Sequence, residues 1–240
     1  MASRRWAVKG RCRSPDGLPT GPAEYARVNV EGTTHVLDAA VKHDVKRFIF
    51  ASSSSVYGNN AKVPFAEDDP VAEPISPYAA TKRAAELVCH TYWHLYRLPV
   101  ACLRLFTVYG PRQRPDLAIY KFTRLISEGQ PIPVFGDGST SRDYTYIDDI
   151  IAGVTSALER CDRYRIYNLG GSSPVTLGQL IETIERVLGR KAVIDRKPAQ
   201  AGNVERTYAD VSRARAELGY EPRTPIEAGV RRFVEWFRSR

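Results

Sequence analysis

The residues best suited to chemistry lie between Ala51 and Lys82. Four serines follow Ala51, and Tyr78 stands four residues before Lys82. Residues four apart share one face of a helix, so the Lys82 ammonium can approach the Tyr78 phenol. A free tyrosine titrates near 10, and lowering its pKa to about 7 takes roughly 4 kcal/mol of differential interaction with the phenolate. The pattern therefore predicts a proton-transfer site made by the serine hydroxyls, Tyr78 and Lys82.

Two predicted elements must position these side chains. The apolar segment 45–53 predicts a buried strand that ends in hydroxyls. Ser76 and Pro77 predict the start of a helix over 77–97, because a serine oxygen can cap the first turn and a proline ring fits it. A tyrosine and a lysine four apart are also common on helices without any catalytic role, which is the alternative interpretation.

The rest of the chain alternates strands and helices. A second continuous apolar run, 99–108, is typical of a strand that is covered on both faces of its sheet. Further helices are predicted over 25–43, 118–128, 176–188 and 224–238, and short strands over 132–138 and 166–169. This alternation predicts a doubly wound α/β fold.

Composition restricts the class of protein. The chain has 240 residues, of which 43% are hydrophobic, and a net charge of +8. That size allows one large α/β core, or a core with a small lobe. The basic residues are scattered without interleaved aromatics, which favours anionic small ligands over nucleic acid. The four cysteines show no metal-ligand spacing, and the sequence has neither a membrane-spanning apolar segment nor a secretory signal. A cytoplasmic protein without a metal site is therefore expected.

Three motifs resemble those of one family. They are Tyr25-x-x-x-Asn29-Val30-x-Gly32-Thr33, the serine run followed by Val56-Tyr57-Gly58, and Tyr78-x-x-x-Lys82. From about Tyr25 onward the chain resembles the extended short-chain dehydrogenase/reductases that act on nucleotide sugars, the NAD-dependent epimerase/dehydratase family. The resemblance implies a Rossmann-type sheet, NAD as cofactor and catalytic roles for Ser53, Tyr78 and Lys82. It also implies cofactor contacts from Asn29, Ser52, Tyr78, Lys82, Phe106 and Val108. From its position alone, Asn29 fits a helix-surface or capping residue equally well.

One part of the family pattern has no counterpart in this sequence. A dinucleotide-binding fold normally opens with a strand, a glycine-rich turn and a helix, whose backbone N–H groups bind the pyrophosphate. No Gly-x-x-Gly-x-x-Gly occurs here, and relatives place roughly 75 residues before the matching region. The resemblance therefore implies a parallel sheet that lacks its first strands, because of a truncated gene model, a fragment or a degenerate protein.

The residues that follow Ser53 narrow the choice among the reactions of this family. Family dehydratases carry an acidic residue where Ser54 and Ser55 stand, so the resemblance implies an epimerase. Residues 105–116 resemble the corresponding loop of UDP-glucuronate 4-epimerases. Hydroxyls of Ser54, Ser55 and Thr107 would donate to the sugar carboxylate, with Arg114 nearby. The alternatives are a packing role for Thr107, a solvated Arg114, and UDP-glucose or UDP-N-acetylglucosamine as the epimerised sugar.

A second group of residues matches positions that bind the nucleotide. Arg142 corresponds to a residue that binds the UDP diphosphate, for which the planar fork of an arginine is suited. Pro133 and Phe135 match the strand that holds the uracil. Gln200 and Asn203 match a segment near the uridine ribose, where Asn203 replaces the usual aspartate. Arg142 could instead pair with one of the aspartates that follow it in the sequence.

The family pattern also divides the chain. Residues 1–110, joined by 144–171, would form the remnant of the NAD-binding domain. Residues 111–143 and 172–240 would form a smaller C-terminal lobe that binds the UDP-sugar.

The combined hypothesis is an NAD-dependent 4-epimerase that converts UDP-glucuronate to UDP-galacturonate through a 4-keto intermediate. Helices 25–43 and 77–97 would pair two chains into a homodimer, as family members commonly do. The alternative of another class is a catalytically inactive remnant that binds a UDP-sugar or a partner subunit.

Overall fold

The computed structural model describes residues 21–198 and 205–240. Gln200 and Asn203 lie outside the described residues. The described helices are α1 (Pro22–Ala26), α2 (Gly32–Lys42), α3 (Pro77–Tyr96), α4 (Ala118–Glu128), α5 (Ile147–Arg160), α6 (Leu177–Leu188), α7 (Ser212–Leu218) and α8 (Ile226–Arg238). The strands are β1 (Phe48–Ser53), β2 (Val100–Leu105), β3 (Thr107–Tyr109), β4 (Ile132–Phe135), β5 (Ser141–Tyr146), β6 (Arg165–Leu169), β7 (Pro174–Thr176) and β8 (Ile194–Lys197). None of these helices is long and apolar enough to cross a membrane.

The central sheet is parallel, and its described strands run in the order β1–β2–β6. Ser53 at the end of β1 lies opposite Leu105, which in turn lies opposite Leu169 of β6. Helices α2 and α3 cover one face of this sheet, and α5 and α7 cover the other. Strand β2 is buried accordingly, as its apolar sequence predicts. The predicted α/β fold with a partial, Rossmann-type parallel sheet is confirmed.

Two strand boundaries differ from those that the apolar pattern predicts. The Val45 N–H donates to the Ala40 carbonyl at 2.9 Å and so extends the end of α2, which is why β1 begins only at Phe48. The predicted strand 99–108 divides at Phe106, whose N–H donates to the carbonyl of Leu169. Leu169 is the last residue of β6. The chain after Phe106 therefore leaves the central sheet, and β3 pairs with β5.

A second hydrophobic cluster lies outside the central sheet. Helices α4, α6 and α8 supply most of its buried side chains, among them Ile119, Phe122, Leu180, Ile184 and Phe233. Two small sheets, β3–β5–β7 and β4–β8, complete this region. The sequence pattern missed β5, β7 and β8, because strands of three to six residues owe their pairing to segments far away in the sequence. The predicted division into a NAD-binding part and a sugar-binding lobe stays a prediction.

Helix α3 begins where its sequence predicts. The Ser76 side chain accepts a hydrogen bond from the Ala79 N–H at 3.2 Å, and Pro77 occupies the first turn. The helix ends before Arg97, which adopts a left-handed conformation with φ 56°. Its buried side chains, which face the sheet and α2, are Ala79, Ala85, Glu86, Cys89 and Tyr92.

Candidate active site

Lys82 connects the start of α3 to the end of β1. Its Nζ donates to the Ala51 carbonyl at 2.8 Å and lies 5.9 Å from the centre of the Tyr78 ring. The Phe50 ring lies 5.1 Å away from the same nitrogen and contributes to its partial burial. That burial lowers the pKa of Lys82 from its ordinary value. The structure therefore places the predicted tyrosine and lysine side by side at the strand that carries Ser53.

Ser53 begins a tight 3₁₀ turn, Ser54–Tyr57, directly after β1. Its Oγ accepts a hydrogen bond from the Ser55 N–H at 3.2 Å and donates to the Ser55 Oγ at 3.1 Å. Gly58 then reverses the chain at φ 58°, where an added Cβ would lie 2.6 Å from a backbone oxygen. Ser54 and Ser55, both half-buried, are consequently held close to Ser53 at the carboxyl end of the sheet.

Two of the predicted cofactor residues, Asn29 and Ser52, make different contacts. The Asn29 amide donates to the Thr81 hydroxyl at 3.0 Å, so Asn29 lies against α3 between the levels of Tyr78 and Lys82. It belongs to the π-helical turn Arg27–Glu31 that joins α1 to α2, a feature that is frequent at functional sites. The Ser52 hydroxyl instead points to the protein interior, where it donates to Glu86 at 2.6 Å.

Phe106 and Val108 follow β2 at the same edge of the sheet. The Phe106 side chain is buried and packs near the rings of Tyr57 and Phe65, at 6.4 Å and 6.5 Å between centroids. Val108 is half-buried and packs against the same cluster. Contact of these two residues with a cofactor stays a prediction.

Thr107 stands between them at the start of β3, opposite Tyr144 of β5. It lies two residues beyond Leu105, the neighbour of Ser53 across the sheet, so its position is close to that of the serine turn. Arg114 lies in the loop after β3 and forms an ion pair with Asp116 at 3.2 Å. Both arginine and aspartate are about one third exposed, in agreement with a loop near the protein surface.

A cavity of about 820 Å³ lies between α4, β4 and β5. Three predicted substrate residues line it, Pro133 and Phe135 from β4 and Arg142 from β5. These residues come from separate segments, and no local pattern in the sequence shows that they share one space. Aromatic and apolar walls with a few convergent charges are typical of ligand sites.

Arg142 is held by backbone groups. Its Nη1 donates to the carbonyls of Ser141 at 2.9 Å and Glu205 at 3.2 Å. The neighbouring Asp143 carboxylate accepts backbone N–H groups instead, including those of Gly171 and Ala209. Burial lowers the pKa of Arg142 from its ordinary value, because a charge is costly away from water. Within the described residues, Arg142 therefore bonds backbone carbonyls, and the aspartate that follows it has other partners.

Lys121 and Tyr144 are among the cavity residues that the sequence did not reveal. Lys121 stands in the early part of α4, where the helix dipole disfavours a cation unless an anion is close. A lysine near the start of a helix therefore indicates a nearby anion in the sequence itself. Tyr144 gave no comparable signal, because its position in the cavity depends on the pairing of β5 with β3.

The residues at the end of β1 fit one end of a nicotinamide cofactor. Ligands of open α/β sheets bind beyond the carboxyl ends of the strands, where Ser53 and Lys82 lie. The Lys82 ammonium has three N–H donors, and within the described chain one of them goes to Ala51. The remaining donors suit ribose hydroxyls. The sequence contains no Gly-x-x-Gly-x-x-Gly turn for the pyrophosphate.

Comparison with known proteins identifies the family of this chain. The model of the NAD dependent epimerase/dehydratase family matches residues 17–170, more than half of the chain. The uncharacterized protein MJ1055 of Methanocaldococcus jannaschii is 47% identical over 216 residues, which cover 90% of this chain and 66% of that protein. The UDP-glucuronate 4-epimerase of Thermodesulfobacterium geofontis is 44% identical over 219 residues, which cover 91% of this chain and 67% of the epimerase.

A solved structure shows the same fold. The UDP-glucuronic acid 4-epimerase of Bacillus cereus, in complex with UDP-glucuronic acid and NAD, matches with a TM-score of 0.85 and 34% sequence identity. The match covers 90% of this chain and 68% of that one. This chain thus spans about two thirds of the length of the three proteins. It belongs to the NAD dependent epimerase/dehydratase family.

Proposed function

We propose that this chain carries the proton-transfer site and the sugar-nucleotide site of an NAD-dependent UDP-sugar 4-epimerase, with UDP-glucuronate as the substrate. The observation that carries the proposal is the position of Lys82, which is bonded to β1 and lies beside the Tyr78 ring. The cavity lined by Arg142 supports the sugar-nucleotide part of the proposal. Family membership supports the reaction class.

In this proposal Tyr78 is the base. Its phenolate oxygen would accept the proton of the sugar 4-hydroxyl, and the Lys82 ammonium would stabilise the phenolate. The Ser53 Oγ would donate a hydrogen bond to the same sugar oxygen as a ketone forms there. Bound NAD would supply the acceptor and donor of the hydride at C4. Tyr78 would return its proton when the sugar is reduced on the opposite face.

The serine turn supports glucuronate as the sugar. Ser54 and Ser55 follow the end of β1, Thr107 follows the end of β2, and all three offer hydroxyl donors where an acidic residue is absent. A sugar carboxylate there would accept these hydrogen bonds, and Arg114 in the next loop would add positive charge. Arg142 and Lys121 would hold the diphosphate, and Pro133 and Phe135 the uracil.

The Thr107→Val variant is expected to distinguish the sugars. The loss of one hydrogen bond to a charged group costs about 1.5–3 kcal/mol, so kcat/KM for UDP-glucuronate should fall by about tenfold or more. The kcat/KM for UDP-glucose should change by less than about twofold, because that sugar has no carboxylate. Both values come from initial rates with the two substrates. Thr123→Val, which removes a buried hydroxyl on α4, is the matched control. An equal loss with both sugars would contradict the carboxylate assignment.

The decisive experiment is incubation of the 240-residue chain with NAD and UDP-glucuronate, followed by chromatography for UDP-galacturonate. Product formation supports the proposal, and its rate is compared with the rates for UDP-glucose and UDP-N-acetylglucosamine. Isothermal titration with UDP and with NAD accompanies it. Binding of UDP without binding of NAD and without product would favour the inactive, ligand-binding alternative.

We also propose that the chain forms a homodimer through α3 and the helical segment 22–42. Both carry exposed apolar side chains, and a concentration of exposed apolar surface is typical of a contact with another protein. They are Val28, Val36, Leu87, Leu95 and Tyr96, each more than half exposed. A four-helix contact between two copies would cover them.

The double variant Leu87→Glu with Leu95→Glu is expected to convert the dimer to single chains, because four buried carboxylates would face each other across the two-fold axis. Light scattering after size exclusion should then give the mass of one chain, 26.9 kDa. The control Ile151→Glu with Leu158→Glu changes two similarly exposed residues of α5 and should leave the dimer intact. Dissociation by the control pair alone would place the interface on α5.

A further inference from the structure

Three residues of α3 stand on the face that meets β1. Tyr78, Lys82 and Glu86 follow each other at intervals of four, so they form one stripe along the helix. Lys82 Nζ donates to the Ala51 carbonyl at 2.8 Å, and Glu86 accepts the Ser52 hydroxyl at 2.6 Å. Two successive turns of α3 are therefore bonded to two successive residues of β1, immediately before Ser53.

Glu86 is fixed more firmly than a surface carboxylate. Both of its oxygens accept from Arg104, through Nε and Nη2 at 3.0 Å each, and Arg83 adds a third bond at 3.0 Å. Glu86 is fully buried and Arg104 is 1% exposed. Arg104 belongs to β2 and lies opposite Ser52 in the sheet. One carboxylate thus joins α3, β1 and β2.

The Arg104 side chain is itself held from the other side. Its Nη1 donates to the Glu67 carbonyl at 3.2 Å, and the Tyr57 ring lies 4.8 Å from the guanidinium carbon. Burial by itself would raise the pKa of Glu86, but the hydrogen bonds from Arg104, Ser52 and Arg83 and the Arg104 charge outweigh it and lower that pKa. The pair therefore stays ionised in the interior of the protein.

A buried ion pair seldom adds stability over a well-packed apolar pair of the same volume. The bidentate contact instead fixes the relative orientation of the two side chains, because a guanidinium and a carboxylate fit together in one plane and one orientation. An apolar contact between α3 and the sheet would tolerate rotation or sliding of the helix. Such a movement would carry Tyr78 and Lys82 away from Ser53.

We propose that Glu86 is a positioning residue for the proton-transfer site: by binding Ser52 and Arg104 together, it sets the height and rotation of α3 at which Lys82 and Tyr78 meet the end of β1. Neither Glu86 nor Arg104 reaches the reacting atoms. The significance of this role rests on the proposed function, but the geometry can be tested in a chain without cofactor or substrate.

The test follows the ionisation of Lys82 in Glu86→Gln. Lysine labelled with ¹³C at Cε is titrated by NMR, and the Lys82 signal is identified by its loss in Lys82→Arg. Removal of a negative charge would by itself lower the pKa of Lys82, whereas release of the ammonium into water would raise it toward its ordinary value. The proposal predicts a rise of about half a unit or more. An unchanged or lowered pKa in the folded variant would overturn it.

A second variant covers the case in which Glu86→Gln fails to fold. Ser52→Ala removes a single hydroxyl and leaves the Glu86–Arg104 pair in place, and it should raise the pKa of Lys82 in the same direction by a smaller amount. Glu128→Gln makes the same chemical change as Glu86→Gln in an exposed pair with Arg124 and should have no effect. If Ser52→Ala shifts the signal no more than this control, the proposal is wrong.

Turnover provides an independent measurement where the chain is active. Glu86→Gln should lower kcat by about tenfold while KM for UDP-glucuronate stays within about twofold, because the cavity with Arg142 is built by other elements. A rise in KM with unchanged kcat would contradict a positioning role. Because the NMR titration needs no activity, failure of the proposed function and failure of this inference give different results.

Discussion

Replacement of Tyr78 by phenylalanine is expected to lower the rate of UDP-glucuronate epimerisation by about 10²–10⁴-fold, the contribution typical of a positioned proton-transfer group. The substitution removes one oxygen and keeps the ring, which packs edge-to-face against Tyr25 at 5.9 Å between centroids. The helix start at Ser76 and Pro77 is unchanged. The loss should therefore reside in kcat, with the stability of the chain nearly preserved.

The measurement combines product chromatography with titration calorimetry. UDP should bind Tyr78→Phe with the affinity of the unmodified chain, because the residues proposed to hold the diphosphate, Lys121 and Arg142, lie on α4 and β5 rather than on α3. A matched control is Tyr96→Phe, which removes a hydroxyl from an exposed tyrosine at the other end of the same helix. Full turnover by Tyr78→Phe would refute Tyr78 as the base, and loss of UDP binding would assign it to substrate binding instead.

Arg104→Met is expected to lower the free energy of unfolding by about 3–5 kcal/mol, the usual cost of leaving a buried charge without its main partner. Glu86 is fully buried and would retain only Ser52 and Arg83 as donors. Urea titration followed by circular dichroism measures this effect. Arg124→Met breaks a pair in which both side chains are nearly half exposed, and it should cost less than about 1 kcal/mol.

Removing the unpaired carboxylate of Glu86 as well should recover most of the free energy of unfolding that Arg104→Met loses. The double variant Arg104→Met with Glu86→Leu replaces the ion pair by apolar side chains, and such replacements are often close to neutral in stability. Equal stability of the single and double variants would show that the unpaired carboxylate is not the cause. The double variant should still show the raised Lys82 pKa, because stability returns while the fixed helix orientation does not.

The same pair predicts a dependence of stability on pH. The folded pKa of Glu86 lies below its ordinary value of 4.5, so the folded chain binds this proton less readily than the unfolded chain. The resulting contribution to the free energy of unfolding is complete above about pH 4.5 and is lost as the pH falls through the lower, folded pKa. The stability of the unmodified chain should therefore fall more steeply in that acid range than the stability of the double variant. Urea titrations at several pH values measure the difference.

Part of this site could be predicted because its signals are local. The i, i+4 spacing of Tyr78 and Lys82 on a helix capped by Ser76 needs only helix geometry. An apolar segment that ends in serines predicts a strand whose carboxyl end carries hydroxyls. The resemblance of these motifs to one family then provided roles that spacing alone could not assign.

Other features depended on contacts between distant segments. Arg104 stands in an apolar run, and only the approach of α3 shows that it meets Glu86 in the interior. Contact of Ser52 with a cofactor stays a prediction, and only the fold shows that its hydroxyl donates to Glu86. Lys121 and Arg142 are 21 positions apart, and the fold alone brings both to one cavity.

The sequence by itself determined the fold class, the strand-end serines, the Tyr78–Lys82 pair and the start of α3. These follow from periodicity and capping, which act over a few residues. The tertiary structure decided the division of the run 99–108 into two strands, the cavity lined by Arg142 and the Ser52–Glu86–Arg104 contact. Such features depend on burial and hydrogen bonding between elements, whose energies have no local signature in the order of the amino acids.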